Sequence, residues 1–313
     1  MKNNLLLVGT GYMGKAYATV LKNLNVSFEA VCMSEESAIS FSNDFECTCL
    51  SGGIDSIDFK THNYNIAIVA IGVEKLKSAC EKLINNGIRY ILVEKPAGLN
   101  DLEISSLNEL AIKTHSQIFV AYNRRFYTSV LKAKEIITSD GGILSGNFEF
   151  TEWAEKISPL KKAVGVKENW FLANSTHVVD LAFFLMGKPA EMNALSSGRL
   201  EWHSPAIFSG SGKTNENILF NYSANWLSAG RWRVEILTSK RKLILAPMEE
   251  LQEQLINSIE VKKVEKVDYS IDTEFKPGIY LQTKAFINKD FSDLKTIQEQ
   301  TTDLEIYNKI LGV

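Results

Sequence analysis

The chain opens with short, unbroken apolar runs separated by stretches in which apolar residues recur at helical spacing. Leu5-Leu6-Leu7-Val8 reads as a buried strand. Met13, Ala16, Tyr17, Val20, Leu21 and Leu24 then fall on one helical face. Phe28 to Cys32 and Ile66 to Ile71 read as further strands. Leu76, Ala79, Cys80, Leu83 and Ile84 mark a helix, and Asn86-Gly87 supplies its C-terminal cap. Tyr90 to Val93 and Ile118 to Tyr122 are strands, with helical periodicity from Leu102 to Lys113 between them. Continuous apolar strands alternating with amphipathic helices predict a parallel sheet covered on both faces.

The pattern changes near residue 122. A helix over Ser129 to Thr138 runs into Asp140-Gly141-Gly142, a turn signal. Strand-like segments then dominate: Ile143 to Trp153, Glu191 to Ser196, Ile218 to Trp226, Arg231 to Leu237 and Lys242 to Leu245. Two helices stand among them, His177 to Leu185, stopping at Gly187-Lys188-Pro189, and Tyr280 to Asn288. The fold class expected is α/β. A doubly wound parallel sheet over residues 1–121 precedes an α+β domain over 122–313 with a mostly antiparallel sheet.

Composition narrows the function. The 313 residues are 45% hydrophobic and 23% charged, which supports a real core. A net charge of -3, with no long basic run, gives no reason to expect nucleic acid. Lys2 and the short run Leu5 to Val8 make neither a signal peptide nor a membrane span. A cytoplasmic protein with no membrane partner is expected. Cys32, Cys47, Cys49 and Cys80 lack zinc spacing and the four His are scattered, so reduced thiols and no metal are expected.

Gly9-Thr10-Gly11-Tyr12-Met13-Gly14 is G-x-G-x-x-G between a strand and a helix. The first glycine permits a tight turn, the second lets backbone approach a pyrophosphate, and the third lets helix and strand pack closely. The free N–H groups of the helix start face the phosphates. This predicts a bound dinucleotide. The end of the second strand should separate NAD from NADP, because an acid there holds the ribose 2′-hydroxyl. Met33 stands at that position, Ser34 suits a 2′-phosphate, and Glu35 and Glu36 oppose one, so the cofactor is NAD or NADP.

Glu94-Lys95-Pro96 ends a strand at the carboxyl edge of the sheet, where cofactor and substrate meet. With the glycine turn, with Tyr122-Asn123-Arg124-Arg125-Phe126, and with His177-Val178-Val179-Asp180 and Gly187, it makes a set in order and spacing. That set closely resembles the glucose–fructose oxidoreductase / inositol dehydrogenase / MocA family over nearly the whole chain. The resemblance implies hydride transfer between a nicotinamide and a carbon bearing a secondary hydroxyl on a sugar, polyol or sugar nucleotide. It implies Lys95 and His177 as catalytic residues. Their chemistry agrees: a neutral imidazole titrates near working pH and takes a proton, and an ammonium stabilises a developing alkoxide.

The cofactor residues expected are Gly9, Thr10, Gly11, Tyr12, Met13, Gly14, Ser34, the loop Ala70-Ile71-Gly72, and Glu94, Lys95 and Pro96. The substrate residues expected are Tyr122, Asn123, Arg124, Asn174 and Asp180; Arg125 and Asp180 also admit structural roles. Trp153 and Trp170 flank Lys156, Lys161, Lys162 and Lys167, which reads more readily as a solvated loop than as a sugar-nucleotide site. Two departures from the family pattern stand out. Ala173 replaces an Asp four residues before the histidine, and Ile71-Gly72 replaces Thr-Pro. An NAD-dependent glycoside hydrolase and a non-catalytic dinucleotide-binding regulator are the alternatives. The resemblance also implies a homodimer or homotetramer.

Overall fold

The computed structural model describes residues 4–313; Lys2 lies outside them. The chain divides into two units, Met1–Tyr122 with Ile279–Thr302, and Asn123–Gly278 with Asp303–Val313.

The first unit carries β1 (Leu5–Val8), α1 (Tyr12–Asn23), β2 (Phe28–Val31), α2 (Glu35–Phe45), β3 (Cys49–Leu50), β4 (Ile66–Val69), α3 (Leu76–Asn85), β5 (Tyr90–Val93), α4 (Asp101–Thr114) and β6 (Gln117–Val120). These strands lie in the order β6-β5-β4-β1-β2-β3 and all pair in parallel. That is the dinucleotide-binding order, with the switch in direction beside β1. β1 and β4 are buried at every position. Burying each Leu, Ile or Val there contributes about 1.5–3 kcal/mol, and burial on both faces explains why the strands read as unbroken apolar runs. α4 starts on Asn100, whose side chain accepts from the Glu103 N–H at 3.1 Å, while the Glu103 carboxylate accepts from the Leu99 N–H at 2.7 Å.

The second unit carries α5 (Thr128–Ser139), β7 (Ser145–Glu149), α6 (Ala154–Ile157) and α7 (Thr176–Met186). β8 (Pro189–Ser197), β9 (Ile207–Thr214), β10 (Leu219–Asn225), β11 (Arg233–Leu237), β12 (Arg241–Leu245), β13 (Gln252–Leu255), β14 (Lys262–Lys263) and α8 (Ser270–Glu274) follow. Its eight-stranded sheet has the order β14-β13-β12-β11-β7-β10-β9-β8. Only β7 and β10 pair in parallel. α7 packs on β7 and β11, and α5 on β12. Phe148, Phe150, Phe208, Phe220 and Tyr222 form the aromatic core between sheet and helices.

A division at 121/122 describes only the first crossing of the chain. α9 (Ile279–Asn288) and β15 (Lys295–Thr296) return to the first unit, where α9 packs on α1 and β15 pairs antiparallel with β6. α10 (Ile297–Leu311) begins in the first unit's residues and ends in the second's. Among the described residues, no helix is long and apolar enough to cross a membrane.

Candidate dinucleotide cleft and substrate face

At the carboxyl ends of β1 and β4 the first unit has a cleft of about 830 Å³. The glycine turn shapes it. Gly9 has φ +105°, and a side chain there would meet the Ala70 carbonyl at 2.3 Å, so the β1 and β4 loops close on each other only through glycine. A Cβ on Gly14 would sit 2.0 Å from the Gly9 carbonyl oxygen. A Cβ on Gly11 would touch nothing in the protein. That open space above the start of α1 is what a pyrophosphate needs, and no acidic residue occupies the first turn of α1 to repel it.

Thr10, Tyr12, Met13, Ser34, Ala70, Ile71, Gly72, Glu94 and Lys95 line the same cleft as Gly9 and Gly11. The hydroxyl of Ser34 caps α2, accepting from the Ser37 N–H at 3.3 Å. Met33 is 70% exposed. The end of the cleft near β2 thus presents the hydroxyls of Ser34 and Ser37 and the carboxylate of Asp55, with no arginine in the lining. Asp55 also accepts from the Lys82 ammonium at 2.6 Å.

Glu94 and Lys95 follow β5 directly. The buried Tyr17 hydroxyl donates to Glu94 at 2.9 Å. Burial, then the Glu94 charge, pushes the Tyr17 phenol well above its ordinary pKa, so it stays a donor. Pro96 is buried, its carbonyl accepts from the Gln300 amide at 3.3 Å, and the Lys95–Pro96 bond is cis. Lys95 therefore stands on a braced turn at the cleft rather than on an open surface.

The second unit assembles another set of groups on one indole, that of Trp232. The His177 ring centroid lies 6.0 Å from the Trp232 ring. The guanidinium of Arg124 lies 4.6 Å from the Trp232 centroid, and that of Arg231 lies 4.5 Å from it. Arg231 also covers Trp153 at 4.4 Å and reaches the Glu152 carboxylate at 3.5 Å. Glu152 is buried, at 1% exposure, and accepts from the Asn174 amide at 2.9 Å and the Ser175 hydroxyl at 2.7 Å. Asn174 and Ser175 belong to a π-helical turn, Phe171–Ser175, that leads into α7 and His177. Such turns recur at functional sites because they re-aim side chains within a helix.

The first unit has a counterpart among known protein families. Residues 3–122 match the GFO_IDH_MocA model, described as an oxidoreductase family with an NAD-binding Rossmann fold. Over these residues the chain is similar to the Gfo/Idh/MocA family. No curated protein matches the sequence. Solved structures share the fold over nearly the full length. Levoglucosan dehydrogenase in complex with NADH is 17% identical, with a TM-score of 0.77, covering 100% of this chain and 96% of its own. The WlbA dehydrogenase of Chromobacterium violaceum, in complex with NADH and UDP-GlcNAcA, is 15% identical, with a TM-score of 0.72 and coverage of 99% and 92%. An oxidoreductase from Agrobacterium radiobacter, in complex with NAD+, L-tartaric acid and magnesium, is 11% identical, with a TM-score of 0.76 and coverage of 98% and 95%.

The expected substrate residues have different fates. Both Asp180 oxygens accept from Arg125, at 2.7 and 2.8 Å, and the pair is almost fully buried. A substrate contact by Asp180 thus gives way to its structural alternative, a bidentate ion pair tying α7 to the segment before α5. Asn123 is buried; its amide donates to the Pro277 carbonyl at 2.9 Å, and its side-chain oxygen accepts from Arg124 at 3.5 Å. Tyr122 is 1% exposed in the first unit, with the Lys295 ammonium 4.7 Å from its ring centroid. Arg124 and Asn174 remain on the Trp232 side with His177. Trp170 is a core residue packed edge-on to Trp202 at 6.1 Å, whereas Trp153 is 52% exposed.

Sequence reading missed Glu152, Arg231 and Trp232. It ran one strand from Ile143 to Trp153 and another from Arg231 to Leu237. The strands stop at Glu149 and start at Arg233. Beyond the strand, the Thr151 hydroxyl accepts from the Asn225 N–H at 3.1 Å and Glu152 is buried.

Proposed function

We propose that this oxidoreductase transfers a hydride between the nicotinamide of NAD or NADP and a carbon bearing a secondary hydroxyl on a sugar, polyol or sugar nucleotide. The observation that carries the reading is Lys95 lining the same cleft as the open Gly11 turn. A nicotinamide bound there supplies the hydride acceptor or donor. Lys95 stabilises the oxygen that gains charge as its proton leaves, and His177 takes or returns that proton. Arg124 and Asn174 bind substrate polar groups. The carbohydrate substrates named in the comparison structures, levoglucosan dehydrogenase and the UDP-GlcNAcA complex, support the substrate class. The protein acts in the cytoplasm as a homodimer or homotetramer.

Lys95→Ala and His177→Ala should each lower turnover about 100-fold or more, the size of a lost acid–base group, with NADH binding by fluorescence titration largely kept. Near-normal turnover in both variants would sink the reading. Release of an aglycone with no net change in nicotinamide redox state would instead identify a glycoside hydrolase. Cofactor binding with no turnover across sugars, polyols and sugar nucleotides would identify a regulator.

A further inference from the structure

Trp232 gathers two guanidiniums, and their charges are not treated alike. Arg231 has Glu152 at 3.5 Å. Arg124 has no carboxylate partner among the described residues; its polar contact is the neutral Asn123 amide oxygen at 3.5 Å. Arg124 is nevertheless partly buried, with the rings of Trp232 at 4.6 Å and Tyr127 at 5.8 Å. Burial lowers its pKa, and the nearby Arg231 charge adds to that; Tyr127, Glu249 and Glu152 oppose it from a distance. A half-desolvated cation without a counter-ion is costly unless something else pairs with it.

A second observation points the same way. Trp232 is 8% exposed, and its indole N–H is buried with no acceptor among the described residues. Buried donors are nearly always satisfied, so an orphan marks a site for a ligand acceptor. An unpaired guanidinium and an unpaired indole N–H thus belong to one cluster, and the His177 ring lies against the same indole. Of the two arginines on Trp232, Arg231 is ion-paired, with Glu152, whereas Glu249 and Glu152 act on Arg124 only from a distance.

We propose that Arg124 and the Trp232 indole N–H, with Arg231 beside them, form an oxyanion subsite next to His177, so that the substrate carries a carboxylate or a phosphate. This rests on the hydride-transfer reading for what happens to the substrate, but not for its charge. A planar guanidinium pairs with either oxyanion through two parallel hydrogen bonds. Anchoring the acidic group there fixes the ring beside His177 and excludes the neutral parent sugar, which would leave the guanidinium unpaired.

The test compares D-glucose, D-glucuronate and D-glucose 6-phosphate as probes of matched ring and different charge. Binding is read by tryptophan fluorescence and by calorimetry on the full-length protein with NADH bound. The acids are expected to bind at least ~10-fold more tightly than glucose, with affinity falling as salt rises. Which acid binds better separates a carboxylate from a phosphate ligand. Arg124→Gln should erase the preference while NADH affinity and the melting temperature stay as in wild type. Arg124→Lys, which keeps the charge, should restore part of it and guards against misfolding in the glutamine variant. Equal binding of glucose and both acids overturns the proposal, as does an acid preference that survives in a folded Arg124→Gln protein. Because binding is measured without turnover, loss of the acid preference leaves the hydride-transfer reading standing. Conversely, Arg124-dependent acid binding without hydride transfer supports the subsite and counts against that reading.

Discussion

At the scale of single residues, the three glycines of the turn do different work, and the space around each one separates their roles. Gly14 is needed by the protein itself, because a Cβ there would lie 2.0 Å from the Gly9 carbonyl oxygen. Gly11 is needed only by the ligand, because a Cβ there meets nothing in the protein. Gly14→Ala should therefore lower the melting temperature and weaken NADH binding together. Gly11→Ala should leave the melting temperature unchanged and weaken NADH binding by ~10-fold or more, since a methyl would stand where the pyrophosphate approaches. Thermal melts beside fluorescence titrations check both. Equal stability loss in the two variants would mean that Gly11 is only a turn residue. The motif was readable from sequence because its spacing encodes backbone geometry. Arg124 was readable as a substrate residue through its matched motif, but its missing counter-ion was not, since that depends on which carboxylates fold near it.

At the scale of elements, sequence periodicity found the strands and helices that carry their own apolar pattern. It located α7 through His177 and Leu185 but not the π-helical turn before it, because a single wide turn has no repeat to detect. It passed over β9, whose sequence Ile-Phe-Ser-Gly-Ser-Gly-Lys-Thr is poor in strand formers and is held by pairing with β8 and β10 on either side. It also left out α10, in which polar and β-branched residues break the stripe. The π-helical turn is anchored by a histidine with no expected role. The Phe171 N–H donates to His203 Nε2 at 3.4 Å, and the bonding pattern then places the ring's single N–H proton on Nδ1, 2.8 Å from the Pro205 carbonyl that accepts it. An Nε2 that accepts must be unprotonated. Burial lowers the His203 pKa below its ordinary 6.5, with the Pro205 carbonyl partly opposing. The native state thus binds this proton less readily than the unfolded chain. Stability from His203 is present above about pH 6.5 and is lost as pH falls from there through the lowered native pKa. Denaturant melts at stepped pH should show an acid-side decline that His203→Gln reduces. An unchanged decline in the variant would assign the acid sensitivity to other groups.

At the scale of the whole molecule, the chain spends residues 123–278 on a sheet with unequal faces. One face carries Phe148, Phe208, Phe220, Val234 and Ile236 and is covered by α7. The other face follows from the register. Leu195, Ser209, Ser223, Glu149 and Arg233 form one row across five strands, and Asn193, Ser211, Asn221, Asn147 and Glu235 form the next. These side chains are mostly small or amide-bearing. Large apolar residues on this face include Leu195, in the first row and 78% exposed, and Leu219, two residues before Asn221 on β10 and 61% exposed. The segment of β10 was legible as a strand from sequence, but the rows were not, because register is set by strand pairing rather than by composition. A broad face of short side chains lets a second copy approach closely, and two leucines add apolar area that a monomer would leave in water. If this face carries the proposed homodimer or homotetramer, Leu195→Glu, or Leu195→Glu with Leu219→Glu, should shift the protein toward monomer at micromolar concentration without lowering cofactor affinity. Light scattering after size exclusion reads the mass directly. A wild-type monomer at every concentration would overturn the assembly, and an unaltered mass in the double variant would move the interface to another face.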